Sequence, residues 1–349
     1  KETGNLVYEF KHKNVVRVAK FSPDGKYIAT DISAGGTTSP GGAIFWDVKT
    51  GNHLSEISDT FISDFEFSPD SQFLAGWYDS ALGTAAVSLW RVETGTKIAE
   101  FKDSQGVRSL AFSPNGNSIL IGNADGTLRI YDALTGFSKA ILVGHSRGVN
   151  SVEFSPDGKF VASAGGDNRT RWWLYTERDT GSMGDGTGGG NVAQSPLLEI
   201  LQDLIGHTDR VNSVAFNSNG QSIITASDDG TARLWHVNAG EALVGHTNFV
   251  RAIAFSPDGK QLVTASKDGT ARVWDASTRT TLFELRGHSG AIKSIAYSLD
   301  GSRLVTASED KTARLWNANG GTLVFTMSDA TGDIGTAEFS PDGKFIATG

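Results

Sequence analysis

The chain has 349 residues, of which 38% are hydrophobic and 20% charged, a formal net charge of −8, and no cysteine. This is a globular composition that excludes disulfides, thiol catalysis and cysteine-held metal, and its acidic balance argues against general nucleic-acid binding. No apolar run approaches the length needed to cross a bilayer, and the opening "KETGNLVYEF" has neither a signal-peptide core nor an initiator methionine, so a fragment or processed form is expected.

In chain order, "GNLVYEF" reads as a strand, because it aligns with the later "TTLFEL" and "GTLVFTM". The phrase F-S-P-D-G then sets a clock. Its aromatic falls at Phe21, Phe67, Phe112, Phe154, Phe216, Phe255, Tyr297 and Phe339. Successive steps are 39 to 46 residues, apart from one of 62 that contains an insertion. A period near 40 residues marks a repeat architecture whose units cannot bury their own faces. The unit after Gly245 shows the internal plan. "VRAIAF" is a strand, "SPDG" a turn, "KQLVTAS" a second strand, "KDG" a hairpin turn, "TARVWD" a third strand and "TTLFEL" a fourth. No helical periodicity of useful length occurs.

These residues resemble the WD40 family. The match comprises "GH" at Gly144-His145, Gly206-His207, Gly245-His246 and Gly287-His288, the Asp-Gly or Asp-Lys turn, and the closing Trp-Asp, Trp-His or Trp-Asn. The resemblance covers essentially the whole chain and implies an all-β fold, a β-propeller of four-stranded antiparallel blades around a channel. It also implies a His–Ser/Thr–Asp–Trp hydrogen-bond chain in each blade. By position this is His145, Ser163, Asp167 and Trp173 in unit four, and His207, Thr225, Asp229 and Trp235 in unit five. Units six and seven supply His246, Thr264, Asp268 and Trp274, then His288, Thr306, Asp310 and Trp316. Units one to three depart from the pattern. Unit one keeps His12, Thr30 and Trp46 but replaces the tight turn with "DISAGGTTSPGG". Unit two has Ser58 and Gly76, and unit three Asp103, Ile121 and Tyr131, so apolar packing is expected to carry these blades.

Seven units are complete. The C-terminal "IGTAEFSPDGKFIATG" supplies two further strands, and with the N-terminal strand it suggests an eighth blade split between the termini; a seven-bladed ring is the alternative. The whole of 1–349 reads as one propeller domain, with 176–196 a flexible Gly-rich insertion in the fourth complete blade.

Several motifs invite chemistry that their context denies. "GHSRG" fits G-x-S-x-G, but Ser146 occupies the slot of Thr208, Thr247 and Ser289 on a turn between strands, not a strand-to-helix elbow. "GDGTGGG" contains G-x-G-x-x-G, but no helix follows it. Asp179, Asp185 and Asn191 lack the regular spacing of a calcium loop. The "GH" histidines fall one per unit and do not converge on a metal, so no metal or cofactor is expected.

A partner surface is the remaining expectation. The second position of each first strand is Arg17, Ser63, Arg108, Asn150, Asn212, Arg251, Lys293 or Gly335. With Arg210, Phe249 and Lys267 nearby, these form a candidate basic, partly aromatic rim around the channel mouth; Asp228 and Glu309 are the carboxylates that could neutralise it. Trp77 and Tyr78, outside the repeated Trp slot, are a further candidate contact, weighed against core packing. The expected function is a non-enzymatic scaffold for an acidic protein or peptide partner, a module of a longer signalling or assembly protein, with no nucleic acid and no membrane span. The compartment is left open, cytoplasm favoured over an extracytoplasmic site. The alternative is an enzyme or small-ligand binder using the channel, where Glu66, Glu153 and Glu338 recur at a position filled elsewhere by Ala215 and Ala254.

Overall fold

The computed structural model describes residues 7–10, 12, 16–32, 42–57, 62–79, 85–102, 106–176, 197–236 and 239–349. Its architecture grows from the repeated turn. In S-P-D-G the serine hydroxyl donates to the aspartate two residues on, at 2.6 Å for Ser155 and Asp157 and 2.7 Å for Ser256 and Asp258. The glycine that follows takes φ of 70° at both Gly158 and Gly259, a conformation that side chains with a Cβ resist. The reversal therefore falls at a fixed place and sets the register behind it. Val152 lies opposite Ser163, and Ile253 opposite Thr264.

Seven four-stranded antiparallel sheets result, over residues 19–57, 64–102, 107–143, 149–205, 211–243, 250–285 and 292–327. We call these blades one to seven. Strands stand in sequence order within each blade, so the first and fourth are its two edges. The first strands gather side by side at the centre: Ala19–Phe21, Asp64–Phe67, Val107–Phe112, Val149–Phe154, Val211–Phe216, Val250–Phe255 and Ile292–Tyr297. The core lies in the gaps between blades. Ile224, Leu234 and Leu243 of blade five, for example, pack against Val250, Leu262 and Trp274 of blade six. No helix of the described residues is long and apolar enough to cross a membrane.

The structure has seven four-stranded blades, not the eight the repeats suggest. After blade seven only a two-stranded sheet forms, Ala337–Phe339 with Ile346–Thr348. It sits between blade seven and blade one, sharing one apolar cluster with Val305 and Ala307 and another with Ala19 and Phe21. The N-terminal segment expected as its outer strand carries no strand over 7–10. An outer strand needs a third strand to bond to, and this sheet has none. Tyr8 instead donates its hydroxyl to the Lys49 carbonyl at 2.7 Å, and Phe10 packs on Trp46 with ring centroids 4.7 Å apart. The insertion expected over 176–196, including Asp179, Asp185 and Asn191, lies beyond residue 176 outside the described residues.

Blade three shows how tightly the gaps are filled. Gly122 occupies the position of Ala226, Ala265 and Ala307 in the later blades. A Cβ built on it would lie 2.8 Å from a methyl of Val149 and 2.9 Å from one of Val152. Valine is stiff at χ1 and cannot swing clear. Gly122→Ala, the change that restores the repeat pattern, should therefore destabilise by about 1–3 kcal/mol. Urea unfolding showing a stabilised variant would contradict this packing.

Candidate partner-binding rim

One polar chain repeats through blades four to seven. In blade five the Trp235 indole donates to Thr225 Oγ1 at 2.9 Å, His207 Nε2 meets the same oxygen at 2.8 Å, and His207 Nδ1 meets Asp229 at 2.8 Å. Blade six repeats it with Trp274, Thr264, His246 and Asp268 at 3.0, 2.8 and 2.9 Å. Blade seven uses Trp316, Thr306, His288 and Asp310 at 2.9, 2.7 and 2.8 Å. Blade four uses Trp173, Ser163, His145 and Asp167 at 2.9, 2.8 and 2.8 Å. The protons follow from the donor inventory. Indole N–H can only donate, so the hydroxyl accepts it and gives its own hydrogen to Nε2; Nδ1–H then donates to the carboxylate. Every group is satisfied with the imidazole neutral.

The aspartates also hold the turn before the first strand. The amides of Ser146, Thr208, Thr247 and Ser289 each donate to them at 3.0 Å. Ser146 is thus an exposed turn residue and has no nucleophile geometry. Burial acts to raise the Asp268 carboxyl, but the Thr270 hydroxyl, the Thr247 amide and His246 outweigh it and bring it to about 2. Asp310 is held at about 2 in the same way by Thr312 and His288, and Asp167 and Asp229 are depressed further. Burial keeps the His246 and His288 imidazoles below their ordinary range, consistent with neutral rings.

Blades one to three solve the problem otherwise. In blade one His12 Nε2 meets Thr30 at 2.8 Å and Trp46 donates to Thr30 at 2.8 Å, while the Phe10 carbonyl, 2.8 Å from Nδ1, stands where the aspartate would be. No sequence signal marks a backbone oxygen for that role. In blade two Gly76 leaves its space to Trp90 and Ile62. In blade three Ile121 and Tyr131 are buried in an apolar cluster. Ser58 and Asp103 lie outside the described residues.

Arg108, Arg251 and Lys293 are second residues of their inner strands, Arg17 and Arg210 stand ahead of theirs, and Lys267 follows the second strand of blade six. Arg17, Arg108, Arg210, Arg251, Lys267 and Lys293 are all exposed. Their surroundings differ. Arg210 Nε donates to Asp228 at 2.8 Å, and Arg251 lies 3.8 Å from the same buried carboxylate, which also accepts from Asn212 at 2.8 Å. Lys293 is drawn to Glu309 at 3.6 Å and Asp333 at 3.4 Å. Arg108 donates only to Asn150 at 2.9 Å, and among the described residues neither it nor Lys267 forms an ion pair. Phe249, half-exposed, has the Arg251 guanidinium 5.3 Å and the Lys267 ammonium 5.6 Å from its ring centroid. Within the rim expected from the sequence, Phe249, Arg251 and Lys267 make one cationic, aromatic spot.

For Trp77, which the sequence leaves between partner contact and core packing, the structure shows core packing. It is 8% exposed and packs with Val87, Leu89, Val107 and Phe112 between blades two and three, so it does not contribute to a contact surface. Its strand runs Phe73–Asp79, and a large ring directed into an inter-blade gap is covered by the next blade. The Tyr78 side chain lies outside the described residues. Glu66, Glu153 and Glu338 stand in different sheets, and no group of three or more His, Asp or Glu able to hold a metal occurs among the described residues.

Comparisons with known proteins bear on this geometry. The profile of the family described as WD domain, G-beta repeat matches residues 95–132, 136–173, 198–236, 240–275 and 279–317. Actin-interacting protein 1 of Drosophila melanogaster is 30% identical over 244 residues, 66% of this chain and 35% of that protein. Apoptotic protease-activating factor 1 of Danio rerio is 28% identical over 255 residues, 66% of this chain and 19% of that protein. A component of chromatin assembly factor 1 of Saccharomyces cerevisiae is 34% identical over 73 residues, 21% of this chain and 14% of that protein. The chain thus spans about a third or less of the length of these relatives. The crystal structure of the computationally designed Ika8 protein superposes with a TM-score of 0.75, covering 97% of this chain and 96% of that one at 23% identity, a likeness of fold alone.

The polar chain makes a local prediction. Asp268 accepts from His246, the Thr247 amide, and both the amide and hydroxyl of Thr270. Asp268→Ala should cost about 1–3 kcal/mol or more, because buried donors lose their acceptor, whereas Lys267→Ala should stay within about 0.5 kcal/mol. The Asp268 contribution is present above its ordinary value of 3.8 and is lost as pH falls through that value toward 2. Equal urea midpoints for the two variants at pH 7 would refute the assignment.

Proposed function

The chain belongs to the WD40 repeat family, and from that premise we propose that it is a non-catalytic scaffold binding an acidic protein or peptide on the rim around one channel mouth. The observation that carries the reading is the Phe249 spot. An aromatic ring only half-covered by its own fold sits between two cations, Arg251 and Lys267, on a chain whose net charge is −8. An acidic partner segment with an apolar residue could place the apolar group on Phe249 and its carboxylates against Lys267 and Arg108, which have no ion-pair partner of their own among the described residues. Names of two relatives, actin-interacting and chromatin assembly, denote interaction and assembly, in keeping with a binding role. The seven blades supply a rigid platform on which turn residues vary without cost to the core.

The reading predicts a division of labour between rate constants. A partner recovered by pull-down would be measured against Arg108→Glu/Arg251→Glu/Lys267→Glu and, separately, Phe249→Ala. The charge reversals should slow association about tenfold or more at low salt, an effect that shrinks as salt screens it, and leave the thermal midpoint nearly unchanged. Phe249→Ala should instead speed dissociation, at a cost of about 2 kcal/mol. Wild-type kinetics for the triple variant at low salt would place the contact elsewhere.

A further inference from the structure

The apolar gaps between blades repeat as closely as the sequence does, and one of them is incomplete. Between blades six and seven, Leu285 of blade six packs with Leu304, Trp316 and Ala318 of blade seven. Between blade seven and the terminal pair the same places recur, with Met327 for Leu285 and Ile346 for Leu304. In that cluster nothing stands in the places of Trp316 and Ala318, which belong to a third strand and the turn behind it, and the terminal pair has no third strand. The difference shows in exposure. Leu285 is 1% and Leu304 0% exposed, whereas Met327 and Ile346 are half-buried. Phe325, in the place of half-buried Phe283, is 37% exposed.

The second strand of the pair carries the matching polar features. Residues 344–349 align with 260–265 and 302–307, which puts Thr348 in line with Thr264 and Thr306. Those two hydroxyls are fully buried and accept the indole N–H of Trp274 and Trp316 at 3.0 and 2.9 Å. Thr348 is exposed. Its strand is laddered on one side only. The Phe345 carbonyl accepts from the Ser340 amide at 2.9 Å, and Gly349 exchanges both bonds with Thr336 at 3.1 Å. By the alternation of an antiparallel ladder, the amides and carbonyls of Ile346 and Thr348 therefore point to the other edge. In blade six that edge meets the third strand, with Leu262 opposite Trp274 and Thr264 opposite Arg272. The pair is also held from behind. Glu338 and Thr336 accept the Phe21 and Ala19 amides of blade one at 3.4 and 3.3 Å.

We propose that this edge is a strand-docking site for an extended segment of a partner polypeptide, whose tryptophan stands opposite Ile346, donates its indole N–H to Thr348 and fills the apolar gap beside Met327. The chemistry of the occupant is read from the molecule's own repeats. The threonine, the ladder edge and the gap are each the counterpart of a feature that in blades six and seven meets a third strand of the form T-A-R-x-W. Main-chain bonds to Ile346 and Thr348 supply affinity with little sequence preference, and the place for the indole supplies the specificity. An exposed edge also invites a second copy of the same chain. Paired edge to edge, that copy would bring Ile346, Ala347 and Thr348, none of which has a ring to fill the gap or a side-chain N–H for the hydroxyl. The site lies on the terminal pair and not on blade six, so it stands independently of the rim reading.

The probe is a fluorescein-labelled peptide with the sequence of residues 311–320, KTARLWNANG, the third strand of blade seven with its flanks. Added to the full chain it should bind saturably, read as fluorescence anisotropy, and raise the thermal midpoint. The peptide with alanine in place of tryptophan should bind about tenfold or more weakly. Thr348→Val keeps the shape of the edge and loses the acceptor. It should weaken the tryptophan peptide about fivefold and leave a peptide with phenylalanine in that place unaffected. Ile346→Pro removes an N–H of the open edge, where a strand tolerates proline, so it should abolish binding and leave the thermal midpoint of the free chain nearly unchanged. No binding to the wild-type chain, or equal binding of the tryptophan and alanine peptides, would overturn the proposal. So would a wild-type chain that sediments as a dimer and becomes a monomer on Ile346→Pro, since the edge would then belong to a second copy.

Discussion

Each regular blade hangs on one buried hydroxyl. Ser163, Thr225, Thr264 and Thr306 are fully buried on second strands, and each serves two partners on different elements. The tryptophan of the third strand donates to it, and the histidine ahead of the first strand accepts from it. Through the histidine it reaches the aspartate of the turn between strands two and three. A single oxygen thereby ties together every part of the blade except its outer strand. In a low-dielectric gap such a chain is strong when complete and costly when one member is lost. All four members appear together in blades four to seven.

Blades two and three show the replacement. Where the hydroxyl gives way to Gly76 or Ile121, the gap fills with Trp90 and Ile62, or with Tyr131 and its apolar neighbours. Directional bonding is exchanged for close packing, and a Cβ at Gly122 would meet Val149 and Val152. Blade one is intermediate, keeping hydroxyl, histidine and tryptophan but borrowing the Phe10 carbonyl for the missing carboxylate.

Two surfaces lie outside this polar chain. At the channel mouth the cations divide into those drawn to Asp228, Glu309 and Asp333 and those with no ion pair among the described residues. Further along the channel, hydroxyls and carboxyls bridge inner strands that have no ladder between them. Val152 donates to Ser109, Val214 to Ser151 and the Phe216 amide to Glu153. The ring is closed by packing between sheets and by these side-chain bridges.

Much was legible in the sequence because it is local and repeated. The S-P-D-G turns, the four strands per unit and the register that sets Thr225, Thr264 and Thr306 in line follow from spacing, since a turn fixes its neighbours over a few residues. The rim cations were also legible as positions, because one slot in each strand one is one place on the ring. Four things depended on tertiary contact. Whether Trp77 meets solvent depends on the blade beside it, and that blade covers it. Whether the N-terminal "VYEF" forms a strand depends on a third strand to bond, and the terminal sheet has only two. That the Phe10 carbonyl completes a side-chain network leaves no trace in residue type. That Phe249, Arg251 and Lys267 make one spot, while Arg210 and Lys293 are held by carboxylates, depends on distances between residues of different strands and blades. Spacing along a chain specifies direction and period; the partner across a gap is chosen only when the gap closes.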